Sequence, residues 1–170
     1  TISLTSSNGG MTSESWTLDD SDLTAFTHDG ISIDEFTLKN GSLGLLTSTD
    51  GGLKSDTWTL TDSDVFANIY GAISIGSAEL NGSGATLYGK SGGLDMKLLY
   101  LKNSSWDASV FGDVKIPLME AHNSTLKLLS TDGSVLFNAL QASRSYVSLL
   151  SDKGVGLLDS SLTSPLIQFA

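Results

Sequence analysis

Two phrases of this 170-residue chain carry five aspartates, four of them at matching places. Asp19, Asp20 and Asp22 belong to Trp16-Thr-Leu-Asp-Asp-Ser-Asp-Leu23, and Asp62 and Asp64 to Trp58-Thr-Leu-Thr-Asp-Ser-Asp-Val65. If the two phrases stack, their carboxylates share one edge with Asn40 between them. Hard cations such as Ca²⁺ take several oxygen ligands, so these five are the candidate calcium residues. The competing role is structural, because Asp and Asn serve sharp backbone corners. The glycine-rich nonapeptide of calcium-binding β-helices is absent, so the cluster reads first as corners on a solvated acidic edge, and no cofactor is expected.

Thr17, Thr37 and Thr59 form a short outward ladder beside Asn40, and these four residues are the candidate interaction surface. A flat threonine array could bind ice, but the same column continues as Glu79, Tyr100, Glu120 and Gln141, the mixture of a solvent-facing strand. Trp16, Phe36, Trp58 and Trp106 could stack on sugars. The first three share their phase with Leu99 and Met119 in later repeats, which predicts burial in a core. His28 and His122 lie far apart, with no second ligand at metal spacing near either. A sugar-cleaving site would gather Asp or Glu with Arg or Lys on one face. The single arginine, Arg144, is remote from the acidic phrases, and no Gly-x-Ser-x-Gly elbow accompanies the many serines. No catalytic residue is assigned, and the chain is read as a non-enzyme.

Composition narrows the partners. Formal charge is −10 with only nine Lys and Arg, scattered singly, so no basic stripe exists to neutralise phosphates. Nucleic acid and anionic membrane surfaces are therefore not expected partners. Cysteine is absent, which a stacked repeat core tolerates inside or outside the cell. No run approaches the ~18 apolar residues of a membrane span. Thr1 stands where an initiator Met would, as in a mature or excised segment.

What must position these residues is a repeat. Leu18, Leu38, Leu60, Leu80, Leu101, Ala121 and Ala142 advance by 20, 22, 20, 21, 20 and 21 positions. Residues 5–23 and 47–65 match at eleven of nineteen positions, so a double period overlies the single one. Within each repeat apolar residues alternate, as in Ile31-Ser-Ile33 and Ile73-Ser-Ile75, in three short runs bounded by turn residues. Counted from the register residue, the second position reads Asp20, Asn40, Asp62, Gly82, Asn103, Asn123, Arg144, a column suited to left-handed backbone. The third reads Ser21, Gly41, Ser63, Ser83, Ser104, Ser124, Ser145, and the fifth Leu23, Leu43, Val65, Ala85, Trp106, Leu126, Val147. Chemically pure columns at a fixed period mean a solenoid. The prediction is an all-β parallel β-helix of seven to eight coils of 20–22 residues, forming one domain over residues 1–170. Residues 1–14 and 160–170 read as partial or capping coils, with Pro165 at the final corner; coils of this length point to right-handed winding. At ~4.8 Å per coil the rod is on the order of 35–40 Å long. Its ends carry no capping helix, which implies continuation in a longer protein or end-to-end stacking.

Ser15-Trp-Thr-Leu-Asp-Asp-Ser-Asp-Leu23 and Thr57-Trp-Thr-Leu-Thr-Asp-Ser-Asp-Val65 resemble the Trp-Thr-Leu-x-x-Asp-Ser-x-Val phrase of bacterial autotransporter passenger domains of the pertactin type. The resemblance implies a right-handed β-helical rod, extracellular or displayed on the bacterial outer surface. It further implies adhesion to a host surface or glycan ligand, or self-association with further copies. A filament subunit stacking end to end and a polysaccharide-degrading β-helix are the alternatives, because the architecture serves all three.

Overall fold

Short apolar-alternating runs between corners of Asn, Asp and Gly can pair their backbones on both sides only by stacking turn upon turn. The structure, a computed structural model, describes residues 1–163 and 166–169 and is a parallel β-solenoid of about eight turns. Pro165 lies outside the described residues. An opening strand, Ile2–Ser6, precedes coils that each contribute one long and one short strand. The first coil comprises Met11–Asp19 and Leu23–Thr27, the second Ile31–Lys39 and Leu43–Ser48, and the third Leu53–Thr61 and Asp64–Ile69. Next come Ile73–Asn81 with Gly84–Gly89, then Leu94–Lys102 with Ser105–Phe111. The sixth coil divides its long strand into Val114–Lys115 and Leu118–His122 before Thr125–Thr131. Val135–Ser143 with Tyr146–Ser151 and Val155–Thr163 with Leu166–Phe169 complete the stack. Long strands pair only with long, and short only with short, giving two parallel sheets that enclose the core. Among the described residues there is no helix long and apolar enough to cross a membrane.

The predicted register holds. Leu18, Leu38, Leu60, Leu80, Leu101, Ala121 and Ala142 are successive partners across the long-strand sheet. The corner column is left-handed throughout: φ is 48° at Asp20, 56° at Asn40, 48° at Asp62, 63° at Gly82, 50° at Asn103 and Asn123, and 51° at Arg144. That conformation is why Asn, Asp and Gly fill the column, with Arg144 the costly exception.

Two expectations change. Coil 2 carries one extra corner residue, Gly41 (φ 80°), so the serine column continues through Ser42 and not Gly41. The same insertion turns Leu43 outward and places Gly44 in the inward column between Leu23 and Val65. Gly44 is needed there, because a Cβ would lie 3.0 Å from the Phe36 ring. Second, two of the three runs in each repeat belong to one nine-residue strand, bent where two adjacent residues face out, as at Asp34-Glu35 and Asp56-Thr57. Pro117 occupies that bend in the sixth coil, where its missing N–H breaks the strand in two. Met11 begins the long strand of the first coil, and Val155–Thr163 pairs with Val135–Ser143.

The serine column is a hydrogen-bonded ladder. The N–H groups of Ser63, Ser83, Ser104 and Ser124 donate to the hydroxyl oxygens of Ser83, Ser104, Ser124 and Ser145 at 3.1–3.2 Å. Each of those hydroxyls donates in turn to the carbonyl two residues back in its own corner. Serine at these buried positions therefore satisfies a backbone donor that turns too sharply to join a sheet.

Candidate functional site

The corner holds the five aspartates but does not gather them. Asp19 accepts a hydrogen bond from Asn40 Nδ2, and Asp22 from the Leu43 N–H at 3.3 Å. The Asp62 and Asp64 carboxylates lie over Gly82 and Gly84 in the next coil, where a methyl group would collide with them. Asp20 is exposed at its left-handed corner. Each of these carboxylates is thus placed along the corner singly, and the five form no converging set of ligand atoms among the described residues. Asn40, also at the corner, is tied to Asp19 and does not extend the threonine face. One group that spacing missed comes together instead: ligand atoms of His28, Asp29 and Asp50 lie within 4.8 Å of one another at an exposed corner. His28 Nδ1 there is hydrogen-bonded to Thr49 Oγ1 at 3.0 Å. The signal was hidden because Asp50 joins from the following coil.

On the outer face of the long-strand sheet, Thr17, Thr37 and Thr59 do stand in one column, continued by Glu79, Tyr100 and Glu120. Thr17 is exposed and the other two threonines are half-buried. Where the column changes chemistry, a groove of about 350 Å³ opens, lined by Thr57, Thr59, Ser77, Glu79, Leu98, Tyr100 and Glu120. It exists because the fourth coil puts small residues at the bend: Gly76 and Ser77 stand between Asp56-Thr57 and Lys97-Leu98. Tyr100 forms one wall, its ring 5.9 Å from that of His122, and His122 Nε2 lies 4.0 Å from Glu120. His122 Nδ1 is in turn hydrogen-bonded to Ser143 Oγ at 2.7 Å, so the wall is braced from the seventh coil.

The aromatic residues divide between core and surface. Phe36, Trp58 and Trp106 are fully buried, whereas Trp16, in the first complete coil, is only partly covered. Outward aromatics that no repeat column announces lie on the short-strand sheet. Leu45 pairs with Phe66, and Phe66 packs diagonally against Tyr88 with ring centroids 5.5 Å apart. Phe26 lies diagonal to Leu45, and Phe111 diagonal to Tyr88. The five make an oblique apolar band over five neighbouring coils, with Phe66, Tyr88 and Phe111 exposed by 38%, 45% and 47%. Threonine, Asn68, Ser109 and Asp107 flank it in the same columns.

The geometry offers two lateral surfaces, a polar groove and an apolar band, on the two sheets. No protein-family model, curated protein or solved structure matches this chain.

Proposed function

We propose that the chain is a non-enzymatic rod of the extracellular space or bacterial cell surface, similar in role to an autotransporter passenger, acting in adhesion or self-association. The observation that supports this most strongly is the band formed by Phe26, Leu45, Phe66, Tyr88 and Phe111. Large contiguous apolar patches are uncommon on the surfaces of monomeric soluble proteins and mark contact sites. Aromatic anchors within a polar rim are also the usual chemistry of interface centres. The band sits on paired strands whose inner faces are locked in a packed core, so little ordering entropy is lost when a partner docks. A host surface or a further copy of the chain are the two partners this face suits.

The test is a Phe66→Ser/Tyr88→Ser double variant, compared with the parent by sedimentation velocity and by adhesion of protein-coated beads to cells. The expected result is a loss of association or adhesion of roughly tenfold or more, ~1.4 kcal/mol, with circular dichroism and melting point retained. A polysaccharide panel incubated with the parent should release no reducing ends. Unchanged adhesion and association in the variant, or cleavage of any polysaccharide, would reject the reading.

A further inference from the structure

We propose that the groove across the fourth coil of the long-strand sheet is a saccharide-binding site, and that its ligand is an oligosaccharide without acidic groups. The inference rests on the binding-module reading above and gives it a second surface with a defined ligand class. Three observations carry it.

The first is shape. Ser77, at the bend of the fourth coil beside Gly76, is short enough to leave a trough walled by Thr57 and Thr59 on one side and Leu98 and Tyr100 on the other. Its volume of about 350 Å³ falls at the lower end of small-ligand sites. The second is chemistry. A pyranose presents an apolar C–H face and a rim of hydroxyls. Tyr100 and Leu98 supply the apolar wall, and Thr57, Thr59 and Ser77 supply hydroxyls that both donate and accept. Glu79 and Glu120 are the carboxylate acceptors. They sit in one column on either side of Tyr100, two inter-strand spacings or roughly 9–10 Å apart. A sugar stacked on the tyrosine would have an acceptor for its hydroxyls at each edge. The third is charge. Asp56, Glu79 and Glu120 outnumber Lys97 around the trough, on a chain of net charge −10, so an anionic glycan meets repulsion.

Tyr100 has a fixed place in this site. Its contact with the His122 ring, with His122 itself held by Ser143, keeps the wall upright. A binding wall held in place before the ligand arrives loses less entropy on binding.

The test is calorimetric titration with three probes: oligosaccharides of β-1,4-glucan, of deacetylated chitin and of polygalacturonate. Two variants accompany the parent, Tyr100→Ala to remove the stacking wall and Ser77→Phe to fill the trough from outside the core. At least one of the first two probes should bind, polygalacturonate should not, and both variants should weaken binding tenfold or more while retaining the parent's circular dichroism. Absence of binding to all three probes, binding of polygalacturonate alone, or binding unaffected by both variants overturns the proposal. If the groove fails but Phe66→Ser/Tyr88→Ser still abolishes association, the adhesive reading survives. If a bound oligosaccharide is cleaved, the groove stands and the non-enzymatic reading falls.

Discussion

The indole rings of Trp58 and Trp106 lie 6.3 Å apart although they belong to different sheets and to coils separated by a whole turn. The intervening coil makes this possible, because it presents Ala78 on the long strand and Ala85 on the short one. Neither alanine fills its layer. Trp58 enters the space from one side and Trp106 from the other, so a deficit of volume in one coil is met by excess in its neighbours. Phe36 and Gly44 compensate in the same way within the second coil. Single coils are unevenly packed, and only the stack reaches a filled core.

The two buried tryptophans should therefore behave alike, and unlike Trp16. We expect Trp58 and Trp106 to emit at short wavelength and resist acrylamide, while Trp16 accounts for the quenchable fraction; single Trp→Phe variants would assign each contribution. Trp106→Ala should lower stability by about 3–5 kcal/mol in urea denaturation, since it leaves a cavity that Ala78 and Ala85 cannot close. Among the described residues neither indole N–H has a hydrogen-bond partner, so Trp106→Phe should cost clearly less than the alanine variant.

Serine-ladder positions should be sensitive to loss of one oxygen. Ser104→Ala leaves the Ser83 N–H without its acceptor in a buried corner, a cost of about 1–3 kcal/mol. Exposed Ser105→Ala, one residue on, should change stability by less than ~0.5 kcal/mol. Equal effects at the two positions, measured from denaturation midpoints, would contradict the ladder.

Arg144 holds the corner conformation that Asn, Asp and Gly hold elsewhere, at φ 51°. Arg144→Gly and Arg144→Asn should each raise stability, by about 0.5–1 kcal/mol, because the left-handed backbone strains an ordinary side chain. The reverse change, Asn103→Ala, should lower it by a comparable amount. A melting-point series on the three variants checks the sign.

Calcium should have little effect on folding. Asp19 is engaged by Asn40 Nδ2, and Asp62 and Asp64 lie over separate glycines, so these corner aspartates are not gathered for a shared cation. A site filled by calcium at a hundredfold excess over its Kd would add ~2.7 kcal/mol. We expect the melting point to be the same in millimolar calcium and in chelator, and an upward shift with calcium would show that the carboxylates regroup around the ion.

The columns through Leu18, Leu38 and Leu60 were legible in the linear order of residues, as were the left-handed corners at Asp20, Asn40 and Asp62. Both follow from local constraints: alternation fixes which side chains face inward, and only certain residues tolerate a corner with positive φ. The exchange of Leu43 for Gly44 was not legible, because one extra corner residue leaves the repeat count plausible while reversing which neighbour points inward. Nor was the pairing of Trp58 with Trp106, which depends on the emptiness of a layer between them. The candidate surfaces belong to the same class. Phe26, Leu45, Phe66, Tyr88 and Phe111 stand at unequal intervals, so no single repeat column contains all five, and the trough at Ser77 is defined by neighbours from adjacent coils. Periodicity along the chain determined what repeats from coil to coil. Tertiary stacking decided what crosses coils obliquely, because diagonal neighbours exist only once the register and the inserted corner residue are fixed in space.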